Sequence, residues 1–239
     1  MEVYMGRKTL FVLMLSFFVL WGCLEDPTTA DLSPGTLTAE GWELFENAVF
    51  AYPIDQESLY CQAIEKFELA IYMDPQAGNA YNGLGWSYMR ISLEADAILN
   101  FYRGLSRSAG EVKREIAIGL GSLLLQENSL EKAQNGAQLL HMAVFGDGST
   151  FAPLDTGSVI WHFIHDPAIS AGDVHLNLAM AYIYIHRNSP DPVAVLGTSD
   201  DPANADTAWG QYYMGASLLP PGDERAESVY NILIQIEDL

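Results

Sequence analysis

Apolar residues recur along this chain at helical spacing, and between Ser58 and Arg107 they do so twice with one offset. Ala63, Phe67 and Ala70 sit at i, i+4 and i+7, and Ala97, Phe101 and Gly104 repeat the set 34 residues later. Each set lies on one face of a predicted helix, the face that packs on a neighbour. Upstream of the second set, Tyr81, Leu84, Gly85 and Tyr88 line the inner face of a helix predicted over Asn79 to Arg90. A mid-helix glycine costs roughly 1 kcal/mol against alanine, so Gly85 marks close packing, with the small Ala97 expected opposite. The partner helix runs from about Glu94 to Ser106.

The pattern extends outward with less regularity. Trp42, Phe45 and Val49 predict a helix that starts at Thr38 as N-cap and stops before Pro53. Asp55 to Ser58 reads as a turn, and the next helix as Ser58 to about Tyr72, closed by Asp74-Pro75. Cys61 falls in that helix and is expected to be a small buried residue. Leu120, Gly121 and Leu124, followed by Ala133, form a weaker copy in which Ala137 stands where a large aromatic is expected. An ordinary helical hairpin fits this stretch as well. Phe145 to Gly172 breaks the period with glycines and prolines and is expected to hold one short helix near Ser158–His165. Leu178, Ala179 and Tyr182 open a fourth unit with Asp173 as N-cap. Asn188 to Ala205 is a second loop. Thr207–Leu219 and Arg225–Ile236 read as a last hairpin around Pro220-Pro221-Gly222. In it Ala226, Tyr230 and Leu233 echo the inner set, and the hairpin caps the stack.

A 34-residue period with these residue types resembles the tetratricopeptide repeat, a helix–turn–helix unit. The resemblance covers Thr38–Ser106 well, and Gly110–Val144 and Asp173–Leu239 weakly. It implies an all-α fold over residues 38–239, a right-handed α-solenoid of TPR-like helical hairpins with loop insertions. In this family the first helices line a groove, and their exposed positions hold the ligand. Carried over by spacing, these are Asn79, Asn82, Trp86, Met89 and Arg90, and, with Trp42 setting the register, Glu43, Asn47 and Phe50. Such a set suits an extended peptide or a helix. The lysines with which some members clamp a C-terminal carboxylate are missing. The competing reading is that Trp86 and Met89 pack against the next repeat.

The N-terminus adds a location. Arg7 and Lys8, the apolar run Leu10–Leu20 and then Gly22-Cys23 follow the order of an export signal. The run is short for a bilayer span, which takes about 20 residues. With Leu20 three places before the cysteine, the segment resembles a bacterial lipoprotein signal, although Trp21 is bulkier than the family prefers. The resemblance implies cleavage after residue 22, lipidation of Cys23, and a tether over residues 23–37. Leu24 stands where enteric bacteria use Asp for inner-membrane retention, so the outer membrane is favoured, facing the periplasm.

Charge and chemistry narrow the partner. Acidic residues number 31 against 11 basic, for a formal net charge of −20, which argues against nucleic acid because phosphate binding needs a basic patch. Leu154-Asp155-Thr156-Gly157-Ser158 resembles an aspartic-protease motif. It stands alone in helical surroundings, however, and a turn is the simpler reading. His162 and His165, with Asp166 beside them and Asp173 and His175 nearby, would share a helix face and could hold zinc. The interleaved Trp161, Phe163 and Ile164 read equally as a packing helix. Asp147, Asp200 and Asp201 lack the ordered Asp spacing of a calcium loop. No phosphate loop or nucleophile elbow occurs, so a non-enzymatic binder without cofactor is expected. Its partner is a protein or peptide of the cell envelope, or alternatively a small ligand or cell-wall fragment in the groove, delivered to a transporter.

Overall fold

The computed structural model describes residues 32–148, 153–154, 160–189, 193–201 and 203–237. The chain divides between Leu32 and Ser33, and all helices below belong to the second unit. The signal segment, Cys23 and the protease-like Asp155–Ser158 lie outside the described residues.

Among the described residues the protein is all-α, with consecutive helices packed in pairs. The elements are α1 (Pro34–Phe50), α2 (Pro53–Met73), α3 (Gly78–Arg90), α4 (Glu94–Leu105), α5 (Gly110–Leu124), α6 (Leu130–Phe145), α7 (Ala171–Asn188), the single turn α8 (Val193–Leu196), α9 (Ala208–Leu218) and α10 (Glu224–Glu237). The first helices α1, α3 and α5 also touch one another in sequence.

Prolines start two helices earlier than the periodicity suggests. Ser33, not Thr38, caps α1, its Oγ accepting the Thr36 N–H at 3.1 Å with Pro34 at the first helical position. Proline has no N–H to lose there and its fixed φ suits a helix. Thr38 lies inside the helix, donating its hydroxyl to the Pro34 carbonyl at 2.8 Å. The expected tether therefore stops short of 37. Pro53 likewise begins α2, so Asp55–Ser58 are helical and the connection shrinks to Ala51 and Tyr52. Ser170, not Asp173, caps α7. Asp173 is the third residue of a capping box, its carboxylate accepting the Ser170 N–H at 2.8 Å.

The core follows the repeated pattern through a coupling of large and small residues. Phe67 and Phe101 are fully buried. Phe67 lies against Gly41 on α1 and Gly83 on α3; Phe101 lies against Gly85 on α3 and Gly119 on α5. A methyl on Gly85 or Gly119 would sit 2.5 Å from the Phe101 ring, and one on Gly41 would sit 2.6 Å from the Phe67 ring. Gly85 thus makes room for the Phe101 ring of the partner helix α4. In the α5–α6 hairpin the large position is Ala137, and Leu140 packs over Gly121 instead. Ala63, Ala70, Ala97 and Ala133 are buried as expected. Cys61 is exposed, on the outer face of α2 that also carries Gln62, Glu65 and Glu68.

The C-terminal region departs from the expected last hairpin. α9 packs chiefly along α7, with α10 touching both more lightly. Gly172 and Gly215 permit the approach, since a Cβ on Gly215 would meet the Gly172 carbonyl at 2.9 Å. His175 is buried in this seam with Nδ1 2.7 Å from Gln211 Oε1. α7 and α9 therefore form the fourth hairpin, and the second loop between them includes α8. On α10, Ala226 and Leu233 are buried while Tyr230 stays 41% exposed, its ring edge-on to Trp209 at 6.0 Å.

Candidate functional site

The repeat sets the frame of the groove. Gly41 and Gly85 play the same role against Phe67 and Phe101, which makes Trp42 on α1 equivalent to Trp86 on α3. Four residues further on, Glu46 is equivalent to Arg90. On α5 the corresponding positions are Ser122 and Gln126.

A strap from the 145–172 insertion fills the face that these residues make. The described part, Ile160–Ser170, is a tight hairpin, not the expected helix. His162 and Ser170 form an antiparallel bridge, the Phe163 N–H reaches the Ile169 carbonyl at 2.8 Å, and the Ala171 N–H reaches the Trp161 carbonyl at 3.0 Å. Side chains alternate accordingly: His162 and Ile164 are exposed, Phe163 and His165 buried. His162 and His165 therefore do not share a helix face. Among the described residues no group of three or more His, Cys, Asp or Glu gathers at metal-binding geometry.

Four strap side chains hold it down. Phe163 is fully buried between the two equivalent tryptophans, with its ring centroid 4.6 Å from Trp86 in a stacked arrangement and 6.1 Å from Trp42 edge-on. The His165 imidazole lies flat on Trp42 at 3.5 Å, and its Nδ1 is 2.7 Å from Glu46 Oε1. Burial holds the His165 pKa below its ordinary 6.5, partly opposed by Glu46. The Asp166 carboxylate, 5% exposed, pairs with the Arg90 guanidinium and also accepts the Ala168 N–H at 3.0 Å. Trp161 donates its indole N–H to Glu111 on α5.

The strap changes what the sequence-derived groove residues do. Asn82 is completely buried and Trp86 is 2% exposed, so neither is an open contact. The reason is the strap and the adjoining α5, which cover them. Trp86 packs on Phe163 and Phe101, not simply against the next repeat. Asn82 donates to Glu115 Oε2 at 2.6 Å. Met89 is half-buried, while Arg90 remains at the surface and holds Asp166. Asn79 is exposed, its Oδ1 accepting the Trp42 indole N–H at 3.2 Å. Glu43, Asn47 and Phe50 are exposed; Glu43 lines the cleft beside His165 together with Trp42 and Glu46, while the equivalence of Trp42 and Trp86 puts Trp42 and Glu46 under the strap.

Sequence reasoning missed Glu46, Glu115, Phe163, His165 and Asp166 as members of the groove. Gly41-Trp42 with Glu46, beside Gly85-Trp86 with Arg90, was a repeat visible in the sequence. Glu115 sits 36 residues after Asn79 and takes its register position. Burial pushes its carboxyl up to about 7, with the Asn82 hydrogen bond pulling the other way. Nearby, the Asn82 Oδ1 and Trp86 Nε1 are buried without a hydrogen-bond partner among the described residues.

Open surface remains on both sides of the strap. One cleft of about 610 Å³ lies beside His165 and is lined by Trp42, Glu43, Glu46, Asp74 and Asn79 among others. A second, of about 460 Å³, lies beside Ala168 and Ile169, over Trp86, Ile118, Ser122, Gln126 and Asn177. No family model, curated protein or solved structure matches the chain.

Proposed function

We propose that this chain is a lipid-anchored scaffold of the bacterial cell envelope that binds a protein or peptide partner. In this reading it is a right-handed α-solenoid of tetratricopeptide-like hairpins, held by lipid on Cys23 to the periplasmic side of a membrane, the outer membrane being favoured. It has no catalytic role, and the partner is held on the face of the first helices.

One observation carries the partner-binding reading. The groove already holds a polypeptide segment through an aromatic anchor, a stacked ring and a charge pair, the contacts that dominate protein interfaces. The hairpin pairing and the 34-residue spacing support the repeat assignment. The order of Arg7-Lys8, apolar run and Gly22-Cys23 supports the anchor.

Two experiments bear on this reading. Cys23→Ala should move the protein from the membrane fraction to the soluble fraction, and retention would sink the anchor. In-cell crosslinking should capture one defined protein, with Arg90→Glu reducing the yield. Capture indifferent to Arg90 would remove the groove from the account. A small-ligand reading also has a specific observation behind it. The 610 Å³ cleft is within the range of small-molecule sites, roughly 300–1,000 Å³, and its Trp42, Asn79 and acidic lining could hold a polar or cationic fragment. A ligand-dependent rise in melting temperature with no protein captured would favour that reading.

A further inference from the structure

The strap's principal contacts fall on the groove's repeating positions, with Trp161 also reaching Glu111 on α5 and Phe163 also edge-on to Phe45. Phe163 takes the paired tryptophans at 42 and 86; His165 and Asp166 take Glu46 and Arg90, each four residues beyond a tryptophan. The strap's own backbone pairs with itself. Among the described residues, the Phe163, Asp166, Ile169 and Ala171 N–H groups bond to carbonyls within the hairpin, and the Ala168 N–H to the Asp166 carboxylate. Among the described residues it is held to α1, α3 and α5 by side chains. Such a segment can leave as a unit without stranding a backbone ladder, unlike a core strand.

We infer that the strap hairpin Trp161–Ser170 is an intramolecular ligand, and that it occupies the site of an external protein segment of the same chemistry. That segment is a turn presenting an aromatic side chain, a second planar ring two residues on, and a carboxylate on the next residue. This rests on the groove-binding reading above and names the partner class for it. Phe163 supplies the apolar wedge between two indoles. Asp166 supplies the charge that Arg90 requires. Beyond the ring position, Glu43, Glu46 and Asp74 line the open cleft, so a guest longer than the strap carries positive charge at that end. The cleft on the other side lets it extend over α5, where Ser122 and Gln126 replace the tryptophan and the charge.

The test uses the full chain in detergent and a fluorescein-labelled synthetic peptide with the sequence of residues 161–171, followed by anisotropy. Asp166→Lys and Phe163→Ser each unseat the strap through a different contact. Both should bind the peptide about tenfold or more tighter than the unaltered chain, the effect of freeing one aromatic anchor and one charged contact. Adding Arg90→Glu to either variant should abolish the gain. A peptide with lysine at the Asp166 position should not bind. If both variants keep their helical circular dichroism yet bind no better, the strap is not an exchangeable ligand. If both lose the helical signal, it is part of the core, and the inference falls as well. Dimers of the unaltered chain that the peptide dissolves would assign the site to a second copy's strap and overturn the external partner. The two readings fail separately. Peptide binding with partner capture indifferent to Arg90 sinks the scaffold reading alone. Capture that needs Arg90, with no peptide binding, sinks this one alone.

Discussion

The groove faces of α1 and α3 and that of α5 come from one repeated pattern and serve different ends. On α1 and α3 a glycine is followed by tryptophan and, four residues later, by a charge, and the strap sits there. On α5 the same positions are Ser122 and Gln126. Ser122 accepts a hydrogen bond from Asn177 of α7 at 3.0 Å, and the surface beside it is open cleft. The helical frame is shared, because each helix keeps the glycine that admits a large residue of its partner helix. The difference shows that the contacts to the strap vary between helices whose glycine-and-large-residue packing is shared, although Trp42 and Trp86 also touch Phe67 and Phe101.

The frame should show its own asymmetry on the same boundary. Phe101 is wedged between Gly85 and Gly119, whereas in the next hairpin Leu140 covers Gly121 beside the small Ala137. Phe101→Ala should cost about 3–5 kcal/mol in urea unfolding, with Leu140→Ala nearer 2–3 kcal/mol. Equal losses would mean that the third hairpin is packed as tightly as the second, which would break the contrast.

Asn79 and Glu115 hold one register position, one exposed and one buried, and pH separates them. The Glu115 carboxyl is raised to about 7 from an ordinary 4.5 by burial. Its neutral form is therefore favoured on folding. That contribution is complete below about pH 4.5 and is lost as pH rises through about 7, for up to about 3 kcal/mol. Glu115→Gln keeps an acceptor for the Asn82 amide and offers an N–H to the unpartnered Asn82 Oδ1. It should stabilise the protein by about 1–3 kcal/mol at pH 8 and by nearly nothing at pH 4.5. His165 acts in the opposite sense. Its pKa is lowered from 6.5, so its contribution is present above that value and lost as pH falls through the lowered one. Urea midpoints of Glu115→Gln should thus only decline with acid, while those of the unaltered chain first rise from pH 8. A variant that still rises would show that another group carries the effect.

Much of the frame was legible because helices bury small and large residues at fixed spacing. Ala63, Phe67, Ala97 and Phe101 disclose that spacing without any knowledge of the fold. Helix starts were less legible: Pro53 reads as a stop from one side and as a first helical residue from the other. The strap was hardest to see. Phe163 and Asp166 reach Trp86 and Arg90 across about 76 residues of sequence, and no local periodicity reports a contact of that range. What local pattern there is, buried Phe163 and His165 alternating with exposed His162 and Ile164, has the period of a strand in a chain of helices. Reading the histidines at i and i+3 as one helix face imposed the wrong period. Asn82 and Trp86 had the right helix and the right face; what covers them comes from elsewhere in the chain.

The smallest effects separate a strap contact from a frame contact of similar appearance. Arg90–Asp166 and Lys66–Glu40 are both ion pairs between neighbouring segments. Lys66 and Glu40 are 40% and 37% exposed at 2.6 Å, so water and salt screen them. Asp166 is 5% exposed, and removing its cation leaves a carboxylate with little solvent to turn to. Arg90→Ala should therefore cost about 1–2 kcal/mol, below the 3–5 kcal/mol of a fully buried pair because the guanidinium itself is partly open. Lys66→Ala should cost under about 0.5 kcal/mol. Salt distinguishes them further. Raising ionic strength from 0.1 to 1 M shortens the screening length from about 10 to 3 Å, which should erase the Lys66 effect and leave most of the Arg90 effect. If both vanish together, Asp166 has found water or another partner once Arg90 is gone, and the strap is seated by Phe163 and His165 alone.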